Sequence, residues 1–355
     1  MSVERDETAL IEARDVRQVF GGEKKGATVA LDGLSFSVRA DVPSFTAVVG
    51  ESGSGKTTLA RILMGLLTPT AGAVRYRGAD MRTLDSTARA RFRRDVQAIF
   101  QDPFEVYNPF YKVDHLLSVP ITRFHLAKNR TEARRLMEDS LRTVGLRPEE
   151  TLGRYPHQLS GGQRQRITVA RALLLKPRLI VADEPVSMVD ASLRATILES
   201  LCKLNQDFGI SFFYITHDLT TAYQVSDNII VLYRGHVVET GDVERVIKEP
   251  QHPYTQLLVA SIPLPDPTRR WGEEVVAATH GADATPNQCP FADRCPQVMP
   301  VCREAMPPLY RTETHRAVSC YLYRDGAPTY EGDITQVFRT GAVAVGGGQE
   351  VTGSR

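Results

Sequence analysis

"GESGSGKTT", residues 50–58, is the stretch that decides the fold. Gly50, then Glu51, Ser52, Gly53 and Ser54, then Gly55, Lys56 and Thr57 fit the pattern G-x-x-x-x-G-K-[ST]. The apolar run "FTAVV" at 45–49 precedes it and "TTLARILMGLL" at 57–67 follows with a helical pattern. Strand, glycine loop and helix in that order are the context the motif requires. Glycines let backbone N–H groups close on phosphate oxygens, and a helix N-terminus adds its dipole. Lys56 is placed to reach the outer phosphates, and the hydroxyl of Thr57, followed by Thr58, to hold Mg²⁺. A plain glycine turn between strand and helix would need neither the lysine nor the threonine.

Three further apolar runs share that design: "VQAIFQ" ends at Gln101, "LIVADE" at Asp183 and Glu184, and "SFFYITH" at His217. Short, continuously apolar runs are expected for strands buried on both faces of a parallel sheet. In open α/β sheets ligands bind beyond the carboxyl ends of the strands. The four ends therefore set the glycine loop, a glutamine, two carboxylates and a histidine along one rim. Asp183 is read as the carboxylate behind Mg²⁺. Glu184, next along a strand, would face the other way and serve as general base for a water. A lone histidine after a strand is often structural, but the position of His217 at a fourth strand end favours a role toward the terminal phosphate. The Gln101 amide can bind Mg²⁺ or water.

Between Gln101 and residue 159 the texture changes. "TEARRLMEDSLRTVGL" carries Leu136, Leu141 and Val144 at helical spacing, and about 103–175 reads as a helical insertion. It ends with a second cradle, "LSGGQRQR" at 159–166. Ser160, Gly161, Gly162 and Gln163 open a helix in which Ile167, Ala170 and Leu174 recur. Hydroxyl and amide donors at a positive helix end suit an anion. A well-capped helix is the plain alternative. Because one phosphate group already has a cradle, the second is read as serving the nucleotide of another molecule, in a head-to-tail pair that closes on ATP.

The 355 residues hold 43 Lys plus Arg against 42 Asp plus Glu, so no basic excess points to nucleic acid. No apolar run is long enough to span a bilayer, and "MSVERDETAL" lacks a signal-peptide core. The expectation is a cytoplasmic chain that reaches a membrane through partners. No internal repeat is found. Residues 1–250 read as the α/β domain, 251–330 as a proline-rich then cysteine-containing region, and 331–355, ending "GAVAVGGGQEVTGSR", as a disordered tail. Four of the five cysteines, Cys289, Cys295, Cys302 and Cys320, lie in the second region. In a reducing compartment they suggest a metal before disulfides. By composition alone they suit zinc or an iron–sulfur cluster, with no metal as the third possibility.

Taken together, these motifs resemble the nucleotide-binding subunit of an ABC transporter. The resemblance implies a P-loop fold with a mostly parallel sheet, an antiparallel β portion, a helical subdomain and a small Cys-rich C-terminal extension. It assigns 50–57 to Walker A, Gln101 to the Q-loop, 159–163 to the signature and Asp183–Glu184 to Walker B. His217 becomes the switch histidine and Asp190 the functional D-loop residue, although Ser187-Met-Val-Asp190 departs from the family's usual Ala-Leu middle. Phe20 is the candidate ring under adenine, with a buried core phenylalanine as its rival. "FQDPFEVYNP", "RYPHQLSGGQRQR", "HPYTQLL" and "CPFADRCPQVMPVC" are similar to the peptide-importer branch, which also includes nickel and oligosaccharide systems. That branch implies ATP, Mg²⁺ and a [4Fe–4S] cluster on the four cysteines. The implied partners are a second ATP-binding subunit (the same or a related chain), two membrane permeases and an extracytoplasmic solute-binding protein. The implied place is peripheral, on the cytoplasmic face of the inner membrane. A soluble ABC-type ATPase acting on nucleic acid, and a module that holds nucleotide without hydrolysing it, are the readings that compete with this one.

Overall fold

The computed structural model describes residues 9–21, 27–102, 106–187, 189–262, 287–325, 330 and 332–339. Most of the glycine-rich end, 340–355, lies outside them.

The chain opens with β1 (Ala9–Phe20) and β2 (Thr28–Arg39), then β3 (Phe45–Val49) and α1 (Lys56–Leu63). Next come β4 (Ala71–Tyr76), β5 (Ala79–Asp80), α2 (Ser86–Asp95) and β6 (Val96–Ile99). Four helices follow: α3 (Asp114–Arg123), α4 (Arg130–Thr143), α5 (Pro148–Thr151) and α6 (Gly161–Leu173). Then β7 (Leu179–Asp183), α7 (Ala191–Phe208), β8 (Ser211–Ile215), α8 (Leu219–Val225), β9 (Asn228–Tyr233) and β10 (His236–Asp242) return to the sheet. The chain continues through α9 (Val243–Lys248), α10 (Pro253–Ala260), α11 (Pro300–Glu304), β11 (Tyr310–Glu313) and β12 (Arg316–Val318).

Two sheets result. One is antiparallel, in the order β2-β1-β4-β5; the other runs β11-β12-β10-β9-β3-β8-β7-β6. In the second, β9, β3, β8, β7 and β6 are mutually parallel neighbours. All four strands expected from their apolar runs lie side by side in it. Alternation explains why these runs are largely apolar. Phe45, Ala47, Ile180, Ala182, Phe212 and Tyr214 enter the core on one face. Val48, Leu179, Val181, Phe213 and Ile215 enter the core on the other, shared with the antiparallel sheet. Both faces are covered, and the few polar residues inside these strands, Thr46, Gln97 and Ser211, are buried with the rest.

The helices α3, α4 and α6 pack against one another, and α6 rests on the edge strand β6. Asn129 caps α4 by accepting the Glu132 N–H at 2.9 Å. Its inner face buries Met137 and Leu141, with Val144 just beyond its end and Leu136 partly buried beside them.

The end of the chain departs from the sequence expectation in two ways. The Cys-rich region is not an appended extension, because β12 pairs antiparallel with β10 and so continues the main sheet. Nor is the chain beyond 331 all tail. The Ser37 N–H donates to the Asp333 carboxylate at 3.1 Å, and Ile334, Val337 and Phe338 are buried in the core under β1 and β2. Asn228 then exchanges two hydrogen bonds with the Arg339 backbone. A handful of apolar residues with a polar cap is enough to dock, although a composition rich in glycine and threonine hides them.

His252 caps α10. Its Nδ1 accepts the Tyr254 N–H at 3.0 Å, and the ring is 2 % exposed. Burial pushes its pKa down to about 3. The folded chain therefore keeps this ring neutral where the unfolded chain, with an ordinary pKa near ~6.5, takes a proton. Stability conferred by this group is intact above that value and is lost as pH falls toward about 3. Up to about 1.4 kcal/mol per pH unit is expected in that window. Urea melts of the wild type and of His252→Asn, which retains a capping acceptor, should diverge in slope between those pH values; parallel slopes would reject this account.

Candidate functional site

Gly50 and Gly55 are glycines because backbone passes where a side chain would stand. A Cβ at Gly50 would meet the Leu232 carbonyl oxygen at 2.1 Å, and one at Gly55 the Ala30 carbonyl oxygen at 2.3 Å. Gly53 and Gly55 also hold φ of 81° and 105°. Ser52 and Gly53 form the exposed tip, while Ser54 is buried beneath it. Lys56 lies inside the loop. Its ammonium donates to the Gly50 carbonyl at 2.6 Å, to the Glu51 carbonyl at 2.8 Å and to the Ser54 hydroxyl at 3.4 Å. Burial lowers its pKa, opposed by the fields of Glu184, Asp183 and Glu51.

Asp183, the last residue of β7, faces the Thr57 hydroxyl. Burial raises its pKa and the neighbouring Glu184 raises it further, while the Thr57 hydroxyl lowers it. A hydroxyl facing a half-buried carboxylate at the mouth of a phosphate loop is an oxygen donor set suited to Mg²⁺, whose charge would relieve that strain.

Glu184 does not follow strand alternation. It has left the strand, with φ at 46°, while its N–H still donates to the Ile215 carbonyl at 2.8 Å. The left-handed turn brings its carboxylate between two partners. Gln101 Nε2 donates to one oxygen at 3.0 Å, and His217 Nδ1 lies 2.8 Å from the other. Three residues drawn from the ends of β6, β7 and β8 thus meet on one rim. Behind them, the Ser187 N–H and hydroxyl donate to the Glu184 carbonyl at 3.2 and 3.0 Å, tying the following turn to the same residue. That turn leads to exposed Asp190, the N-cap of α7.

The signature residues stand elsewhere. Ser160 caps α6 in a reciprocal box. Its oxygen accepts the Gln163 N–H at 3.2 Å and its own N–H donates to Gln163 Oε1 at 2.9 Å. Gly162 packs so closely that a Cβ would meet Leu193 at 2.8 Å. Among the described residues no hydrogen bond or ion pair joins 160–163 to 50–58. Phe20 ends β1 at 43 % exposure, so it is not a core residue.

Cys289, Cys302 and Cys320 are buried and Cys295 is half-buried. The Cys289 N–H donates to the Cys302 carbonyl at 2.8 Å. The Cys320 thiol is pushed up to about 12, chiefly by burial and in part by the fields of Cys289, Cys295 and Cys302, so all four share one region. They are not drawn together around a point. Among the described residues, no group of three or more His, Cys, Asp or Glu side chains is arranged to hold a metal ion. Cys202 stands apart in α7.

One set of contacts escaped the sequence. Glu51 is gripped by Tyr254 and by Arg294, which lie far along the chain. The only hint was a charged residue in a loop that otherwise needs small ones.

A phosphate loop opposite Asp183, with Glu184 braced by Gln101 and His217 and a separate helical layer headed by LSGGQ, defines an ATP-binding cassette. The chain belongs to the ABC transporter family and is an ATPase of that type. The family model described as "ABC transporter" matches residues 31–187, and "Oligopeptide/dipeptide transporter, C-terminal region" matches 238–302. The chain is similar to a putative oligopeptide transport ATP-binding protein of Bacillus subtilis (strain 168), with 41% identity over 89% of this chain and 96% of that one. A di/tripeptide transport ATP-binding protein of Pseudomonas aeruginosa is 39% identical over 82% of this chain and 89% of its own. Among solved structures, the dimeric structure of a bacterial ABC transporter cassette is 30% identical, with a TM-score of 0.58 over 66% of this chain and 98% of that one.

Proposed function

We propose that this chain powers peptide uptake as the ATP-hydrolysing subunit of an importer, on the cytoplasmic face of the inner membrane. The observation that carries the chemistry is the Glu184 carboxylate, held between Gln101 and His217 beside the phosphate loop. In this reading residues 50–58 hold the phosphates of ATP, and Lys56 exchanges its carbonyl partners for the outer phosphate oxygens. Thr57 and Asp183 hold Mg²⁺, which supplies charge for the phosphates when bound. Glu184 accepts the proton of a water as its oxygen bonds to the terminal phosphorus and the bond to the ADP oxygen breaks. Gln101 and His217 orient that carboxylate and water. Ser160 to Gln163 and Asp190 complete the site of a second ATP-binding subunit. Phe20 offers its exposed ring to adenine.

Docking to membrane subunits has its own support. A groove of about 600 Å³ runs between α3 and the β6 edge, lined by Leu66, Phe100, Tyr111, His115 and Val119. Phe110 stands beside it, 87 % exposed. No helix among the described residues is long and apolar enough to cross a membrane.

Peptide is favoured as the solute because the relatives' names specify oligopeptides and di/tripeptides, and the C-terminal region matches that branch. For the cysteines the finer proposal is a [4Fe–4S] cluster, with zinc as the alternative. Three buried thiols and a half-buried fourth in one region of the fold support it, and a cluster would take all four as thiolate ligands. The test is one preparation: this chain co-purified anaerobically with its permeases and solute-binding protein in vesicles. Short peptides should stimulate ATP hydrolysis severalfold, and metal analysis should find iron with sulfide. Stimulation by oligosaccharide or Ni²⁺ alone would reject the peptide, and stoichiometric zinc would reject the cluster.

A further inference from the structure

Glu51 lies within the phosphate loop, yet every one of its polar groups is engaged. Its carbonyl accepts from Lys56 at 2.8 Å. Its N–H donates to the Tyr254 hydroxyl at 2.8 Å. Its carboxylate receives both terminal nitrogens of Arg294, at 2.9 and 3.0 Å. The fork-to-fork pairing is the strong, orientation-specific kind. Arg294 is itself fixed. Its guanidinium lies 5.7 Å from the Tyr233 ring centre and 5.6 Å from that of Phe291, and it donates to the Tyr233 hydroxyl at 3.3 Å. Tyr233, Tyr254 and Phe291 pack on one another, with ring centres 4.5 to 5.5 Å apart. Arg294 immediately precedes Cys295, and Phe291 follows Cys289 by two residues.

A carboxylate inside a phosphate loop is an electrostatic liability, since it repels the anion the loop must hold. Here its charge is matched by a cation delivered from the cysteine region, and the loop's first turn is pinned from the same side. We propose that Arg294 is a positioning residue of the nucleotide site: it neutralises and holds Glu51, so the segment between Cys289 and Cys295 sets the affinity of the phosphate loop for ATP. The inference rests on the loop being the ATP site. It adds that the cysteine region contributes to the site's charge balance, which neither sheet topology nor the loop motif requires.

The test is suppression. In the full chain with Mg-ATP, Arg294→Met leaves Glu51 charged and unheld, and the KM for ATP should rise about tenfold with kcat changed less than about twofold. Glu51→Gln alone removes the repulsion together with the need for neutralisation, and its KM sets the level against which the double variant is read. Combining Arg294→Met with Glu51→Gln should bring KM back to that level. A purely packing role for Arg294 predicts no rescue, and a KM that stays high in the double variant overturns the proposal. If Arg294→Met melts early, Arg294→Lys serves instead, since it keeps charge but loses the fork; its KM should fall between the two, again restored by Glu51→Gln. Lys56→Ala is the control for the site itself. Wild-type ATP binding in Lys56→Ala would sink the site assignment. Loss of binding there with a flat Arg294 series would sink this inference alone.

Discussion

Glu184→Gln will bind ATP and fail to turn it over. The substitution keeps the side chain's shape, and the amide can still bond Gln101 and His217, whose contacts with the carboxylate are 3.0 and 2.8 Å. The backbone bond from residue 184 to the Ile215 carbonyl is untouched, so the left-handed turn survives. Only the ability to take a proton is lost. General-base catalysis is worth about 10² to 10⁴ in rate, so phosphate release should fall by roughly that factor. ATP held without hydrolysis should accumulate in a paired form, visible by size-exclusion chromatography. Steady-state hydrolysis at the wild-type rate would remove Glu184 from the mechanism.

Lys56→Ala should fail one step earlier, at binding. The lysine is 7 % exposed, and its ammonium is held by the Gly50 and Glu51 carbonyls. No other cation in the loop can take its place. Charge-assisted hydrogen bonds of this kind contribute about 1.5–3 kcal/mol each, so affinity for Mg-ATP should drop roughly 100-fold. Calorimetric titration measures it directly. The fold should not suffer, because burial already penalises the charged lysine. An affinity within threefold of wild type would contradict the assignment of Lys56 to the phosphates.

The contrast between these two residues and Arg294 marks what a sequence exposes. Lys56 sits in a contiguous motif whose spacing is itself the geometry. The rim was equally legible. Each strand of a doubly covered parallel sheet stays mostly apolar until it ends, so Gln101, Asp183 and His217 stand out as polar groups at the ends of such runs. The Ser160–Gln163 box could be read because capping is local. Glu184 was found but its direction was not. Alternation describes residues inside a strand, and a φ of 46° puts this one outside. The Arg294 clamp was out of reach because it joins positions 243 residues apart. Nothing in either neighbourhood signals the other. The pairing of β12 with β10 failed to show for the same reason: three residues, Arg316–Val318, make a strand only because an edge waits for them.

The docking of residues 332–339 has a consequence for how the molecule is made. Ile334, Val337 and Phe338 belong to the cluster that also holds Leu10, Phe36 and Val38. Strands near the start of the domain thus share an interior that is sealed only by residues 296 positions further along the chain. Until those residues are made, the apolar seam they close stays open to water.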